Sequence, residues 1–187
     1  MERTEPRGGV REYLCRYREI LDTMIREMTC AELNGSISHN FIAQMIPHHR
    51  AAIQMSESLL KVSDYGPLGR IAENIIQEQT QSIARMEASR RVCGEVQNTE
   101  QELCRYARRF HQITQRMFAQ MASARADCNV NADFMREMIP HHQGAIRMAK
   151  NALQYPICPE LVPILEDIIT SQEKGVEEME KLLQCQC

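Results

Sequence analysis

The chain has 187 residues, 43% hydrophobic and 25% charged, a balance that fits one globular domain or two small ones. A net charge of −3 supplies no basic surface, which removes nucleic acid from the expected partners. No apolar run approaches the ~18–20 residues needed to cross a bilayer, so no membrane partner is expected either.

Seven Pro and eight Gly make the chain poor in turn formers, and few stretches alternate polar with apolar residues. Both features point to an all-α fold. The stripe Val10, Tyr13, Tyr17, Ile20, Met24, Met28, Ala31 has the spacing of a first amphipathic helix ending near Asn34-Gly35. A second helix is predicted from Ser38, a good N-cap, to Lys61, and a third from Pro67 to about Arg91. Thr99 and Glu102 form a capping box for the fourth, Asn131 or Asp133 can cap the fifth, and Pro156 and Pro159 separate it from the sixth.

Residues 13–87 match residues 106–180 at a constant offset of 93, without a gap. The centre of the match is Phe41 to Met55 against Phe134 to Met148, which sets Met45-Ile46-Pro47-His48-His49 on Met138-Ile139-Pro140-His141-His142. The expected architecture is a bundle of about six antiparallel helices in two related sets of three. It forms one domain over 1–187, built from two three-helix repeats at about 10–92 and 99–187.

Sulfur and imidazole are over-supplied: twelve Met, eight Cys and six His stand beside no Trp. Ten of the twelve Met form five repeat pairs, and four of the six His form two, whereas no Cys falls on another Cys at this offset. Whatever the duplicated unit does, it does with Met and His. The cysteines form no CxxC pair, which excludes a zinc ribbon. The start Met1 to Gly9 lacks the apolar stretch of a secretory signal, so a cytoplasmic location with reduced thiols is expected. The terminal Cys185-Gln186-Cys187 is a CxC that can chelate a soft metal ion, although its place at the chain end favours an exposed tail.

On a helical wheel Phe41, Met45, His48, His49, Ala52 and Met55 fall within about 120 degrees, a face that should meet the core. Neighbouring histidines diverge by about 100 degrees, so His48 and His49 must flank the stripe. The small residues Ala51 and Gly144 leave room beside the imidazoles. Pro47 and Pro140 lie inside helices at a cost of roughly 3 kcal/mol each, unless each starts a new helix. Gln79 and Gln172 interrupt the apolar stripes of the third and sixth helices, beside Met86 and Met179. A buried amide needs a partner, and an imidazole is an apt one. No Glu-x-x-His, HExxH or Gly-rich phosphate loop is present, and no catalytic residue is marked.

Thioether and imidazole donors without a nearby carboxylate favour a soft ion, Cu(I) above all with Ag(I) as its mimic, and leave other transition metals open. The candidate ligands are His48, His49, Met45 and Met55 with His141, His142, Met138 and Met148; Gln79, Gln172, Met86 and Met179 would support them. Two other readings use the same residues: a haem or redox protein, and a structural bundle in which Met is core filler. Self-association into a homo-oligomer is compatible with all three.

The segments MIPHHRAAIQM and MIPHHQGAIRMA, with Gln79-x-x-x-Ile83-x-x-Met86 and Gln172-x-x-x-Val176-x-x-Met179 downstream, resemble the bacterial domain-of-unknown-function family DUF305. The resemblance spans roughly residues 38–183. It implies a ferritin-like bundle and, by analogy with copper-binding members, copper or silver sequestration or homeostasis. Where that family usually carries Glu before the Ile of the downstream motif, this chain has Ser82 and Gly175, and it lacks the family's Trp near the end of that helix.

Overall fold

The computed structural model describes residues 7–126 and 129–185; Cys187 of the CxC tail lies outside them. Six helices follow in order: α1 Arg7–Thr29, α2 Ile37–Leu60, α3 Gly66–Cys93, α4 Glu100–Ala122, α5 Val130–Ala152 and α6 Val162–Gln184. No strand occurs among the described residues. None of these helices is long and apolar enough to cross a membrane.

The helix starts show how local chemistry sets the register. Thr99 and Glu102 form the predicted reciprocal capping box on α4, and Pro lies in the first turn of both α3 and α6. Two caps differ from expectation. Ser36, not Ser38, caps α2 by accepting the His39 amide, while Ser38 is buried and its Oγ accepts the Cys158 amide. Asn129, rather than Asn131 or Asp133, caps α5. In both places several cap-competent side chains stand close together, and the one at the extended backbone position takes the role. Pro47 and Pro140 lie within continuous α2 and α5 rather than at the start of new helices.

Short loops fold α2 onto α3 and α5 onto α6. The two hairpins then pack α2 on α5 and α3 on α6, with α1 laid on α2 and α4 on α5. Equivalent residues of the copies meet in the middle. Residues of all six helices share one core cluster, and every methionine from Met24 to Met179 is buried in it. Each such side chain contributes about 1.5–3 kcal/mol relative to exposure, so most thioethers hold the bundle together whatever else they do. Cross-helix ion pairs such as Lys150–Glu173 are half exposed and add little.

The space expected beside Gly144 is filled: a Cβ built there would overlap Sδ of Met117, reaching in from α4. Gly144→Ala should therefore destabilise the protein by about 1–3 kcal/mol, since overpacking outweighs the roughly 1 kcal/mol that Ala gains over Gly in a helix. Urea unfolding checks this, and Met117→Ala in the same chain should relieve the overlap.

α1 also reaches across to the second copy. The Tyr17 hydroxyl donates to the carbonyl of Met121 at 2.9 Å. That of Tyr13 donates to the buried Glu137 carboxyl at 2.7 Å. Burial pushes Glu137 up to about 8. Its repeat equivalent, Gln44, carries no charge and donates to the Met28 carbonyl instead. Tyr13→Phe leaves Glu137 without this donor and should cost about 1–3 kcal/mol in denaturant unfolding. Glu137→Gln in the Tyr13→Phe background should recover part of that loss, because an amide is buried at neutral pH without the proton uptake that the carboxylate needs.

Candidate metal centre

The four repeat-paired histidines converge in the centre of the bundle. His48, His49 and His141 are fully buried and His142 is 2% exposed. The hundred-degree step between helix neighbours sends the two rings of each pair in different directions. His48 faces α5 and stacks on His141, with ring centroids 3.6 Å apart and planes 25° from parallel. His49 instead meets α3, its Nε2 3.1 Å from Ser82 Oγ, and His142 lies against Gly175 of α6. Centroids within each pair are 5.9 Å apart for His48–His49 and 5.8 Å for His141–His142.

His141 Nε2 lies 3.1 Å from the His48 carbonyl oxygen. A carbonyl only accepts, so Nε2 carries the hydrogen and Nδ1 presents a bare lone pair. That Nδ1 has no hydrogen-bond partner. Neither do Nδ1 and Nε2 of His48, Nδ1 of His49 or Nδ1 of His142. Buried polar atoms are satisfied in the great majority of cases, and leaving one unpaired costs about 1–3 kcal/mol. Five orphaned ring nitrogens on four adjacent side chains are a concentrated departure from that rule.

Burial also keeps the rings neutral. It holds His49 down to about 3 and His141 to about 4. His48 and His142 are lowered well below the usual imidazole range, first by burial and then by the neighbouring histidines. Neutral imidazole is the form that ligates metals.

Met45, Met55, Met138 and Met148 are buried in the same core, as are the flanking Met86 and Met179. The imidazoles do not close a cage by themselves. Among the described residues, the only group of three His, Cys, Asp or Glu donors within 4.8 Å of one another is Cys93, Cys158 and Glu160.

Access runs between α3 and α6. A groove of about 350 Å³ is lined by His49, Gln79, Ser82, Arg85, Asp167 and Gln172, among others. A much narrower crevice, about 10 Å³, touches His142, Gly175 and Lys174. Gln79 and Gln172 are buried, as expected, and line the groove, but Gln79 makes no side-chain hydrogen bond and the partner of His49 is Ser82. Glu137, one helical turn before His141, bonds Tyr13 instead.

The thiols depart further from expectation. Cys93 and Cys158 are joined in a disulfide, while Cys15, Cys30, Cys104 and Cys185 are free and exposed. The eight-thiol reading fails for this pair because the fold brings together two positions 65 residues apart that no sequence repeat relates.

Comparison with known proteins places these features in a family. The chain is similar to the crystal structure of a DUF305 fragment from Deinococcus radiodurans, at 23% identity and a TM-score of 0.58 over 79% of this chain and 95% of that one. It is also similar to CopM in Ag-bound and Cu(II)-bound forms. Identity to both is 28% and the TM-score 0.59, over 79% of this chain and 95% and 96% of theirs. No curated protein matches. The profile of the domain of unknown function DUF305 matches residues 18–90 and 38–183. With its duplicated helical hairpins and paired histidines, this chain belongs to the DUF305 family.

Proposed function

We propose that this protein binds a soft metal ion, Cu(I) or Ag(I), in the core of its bundle and holds it there for sequestration or homeostasis. The observation that carries the reading is the set of five unpartnered nitrogens on four buried, neutral imidazoles. Each neutral ring has one lone-pair nitrogen, and those of His48 and His141 have no hydrogen-bond partner in the metal-free protein. His48, His49, His141 and His142 would supply nitrogen. Because the rings do not form a closed cage, Met45, Met55, Met138 and Met148 would complete the coordination with thioether sulfur, the donor type that selects Cu(I). The Ag-bound and Cu(II)-bound forms of CopM support metal binding by this fold. The α3–α6 groove supplies a path from solvent to His49. The haem reading loses ground, because the 3.6 Å His48–His141 stack fills the space between α2 and α5.

Metal-free protein is titrated with Ag(I) in reductant-free buffer, passed through a desalting column and analysed for bound metal. Retention at a fixed stoichiometry, with a rise in melting temperature, is the expected result. At a free concentration 100 times Kd the bound ion stabilises by about 2.7 kcal/mol. To exclude thiol capture, the titration is run on a chain with the six cysteines outside the disulfide changed to Ser, without opening the disulfide. Silver lost on the column, with an unchanged melting temperature, would refute the assignment.

A further inference from the structure

Outside the histidine motifs, Cys93 ends α3 and Cys158 lies in the loop before α6; both are shut away from solvent. Glu160 sits beside them, with Oε2 2.9 Å from Cys158 Sγ. A disulfide sulfur has no hydrogen to donate, and both atoms present lone pairs, so the bonded state gains nothing from this approach. Two arrangements would gain: a thiol donating to the carboxylate, or a cation shared between sulfur and oxygen. Both require the S–S bond to be open.

The surrounding backbone keeps the two cysteines together by other means. Ser36 Oγ donates to the Cys93 carbonyl at 3.0 Å, and the Cys158 amide donates to Ser38 Oγ at 2.9 Å. Both cysteines are thus tied to the start of α2, with their Cα atoms 5.0 Å apart. The two sulfurs and a Glu160 oxygen lie within 4.8 Å of one another. One ion at about 2.3 Å from sulfur and 2.0–2.2 Å from oxygen can bridge such a triangle.

We propose that Cys93, Cys158 and Glu160 form a redox-gated site for a thiophilic divalent cation of the zinc type, independent of the histidine core. Two thiolates and a carboxylate carry three negative charges, which a divalent ion offsets better than a monovalent one. A dithiol reductant opens the site. Its two thiols give two electrons and two protons, the Cys93–Cys158 bond breaks to two thiols, and the reductant closes to its own disulfide. Binding then releases both thiol protons to solvent while the two thiolates and Glu160 ligate the ion. The exposed side of Glu160 leaves a fourth position for water.

The test uses the full chain with Cys15, Cys30, Cys104, Cys128, Cys185 and Cys187 changed to Ser. Reduced by a phosphine and confirmed as helical by circular dichroism, it is titrated with Co(II). The expected result is a sulfur-to-cobalt charge-transfer band saturating at one equivalent and displaced by Zn(II). The band should be absent from the oxidised protein and from Cys93→Ser, and Glu160→Gln should weaken binding at least tenfold. His48→Leu/His141→Leu should leave the band intact, which separates this site from the core. A folded, reduced protein without the band would mean that Cys158 merely donates a hydrogen bond to Glu160, and would overturn the proposal. So would loss of helicity on reduction, or a band indifferent to Glu160→Gln.

Discussion

Replacing His48 and His141 together by Leu should abolish silver binding and at the same time make the metal-free protein more stable. The two rings carry three unpartnered buried nitrogens, Nδ1 and Nε2 of His48 and Nδ1 of His141, each of which costs about 1–3 kcal/mol. Leu fills a similar volume and has no polar atom to desolvate. Against the gain stand the lost bond from His141 Nε2 to the His48 carbonyl and imperfect packing where two flat rings were stacked, an exchange that usually costs under about 1.5 kcal/mol. The three penalties, about 3–9 kcal/mol together, outweigh the lost bond and the repacking, up to about 4.5 kcal/mol together. The expected result is a net stabilisation of a few kcal/mol in urea unfolding, at about 2–4 °C in Tm per kcal/mol for a chain of this size. If the imidazoles were only structural, the variant would unfold more easily; a loss above about 2 kcal/mol would decide for that view. Opposite signs for stability and binding are the mark of a site kept for its ligand.

The reasons that made this pair legible differ from the reasons that hid its partners. The apolar face running from Phe41 through Met45 to Met55 could be read from periodicity alone, and it carried His48 and His49 into the core. The offset of 93 then doubled the argument. Periodicity says nothing about which helix a buried face meets, so the stack of His48 on His141 needed the fold. Gln79 and Ser82 lie three residues apart on nearly the same side of α3. The buried amide of Gln79 was expected to find an imidazole partner, yet the Ser82 hydroxyl holds the hydrogen-bond position at His49. Ser82 was visible only as a departure from the family pattern. Its repeat equivalent Gly175 packs on His142, where an added Cβ would come within 3.1 Å of the ring. The two copies have therefore diverged around their second histidines. Tyr13 was legible as a core position of the α1 stripe, but its bond to Glu137 was not, because the repeat partner of Glu137 is the neutral Gln44 and symmetry gives no hint of a carboxyl in the core.

Those same buried titratable groups predict how the metal-free protein responds to acid. An unfolded histidine takes up a proton below about pH 6.5. In the folded state His49 resists to about 3, His141 to about 4, and His48 and His142 are depressed as well. The unfolded state then binds more protons than the native one, so stability falls as pH drops below 6.5, by about 1.4 kcal/mol per pH unit for each proton. Glu137 has the opposite sign. Its folded value of about 8 exceeds the ordinary 4.5, so its contribution is full below pH 4.5 and fades as pH rises towards 8. Between 6.5 and 4.5 it cancels about one of the four histidine protons, leaving a slope of up to three. Across those two pH units the loss reaches several kcal/mol, a large part of the 5–15 kcal/mol typical of a folded protein. Urea midpoints measured from pH 7 to pH 4.5 should fall steeply. The slope should be shallower in His48→Leu/His141→Leu, which removes two of the protons, and steeper in Glu137→Gln, which removes the opposing one. A flat profile in the unmodified protein would mean that its imidazoles reach solvent and protonate without unfolding, contrary to the sealed core described above.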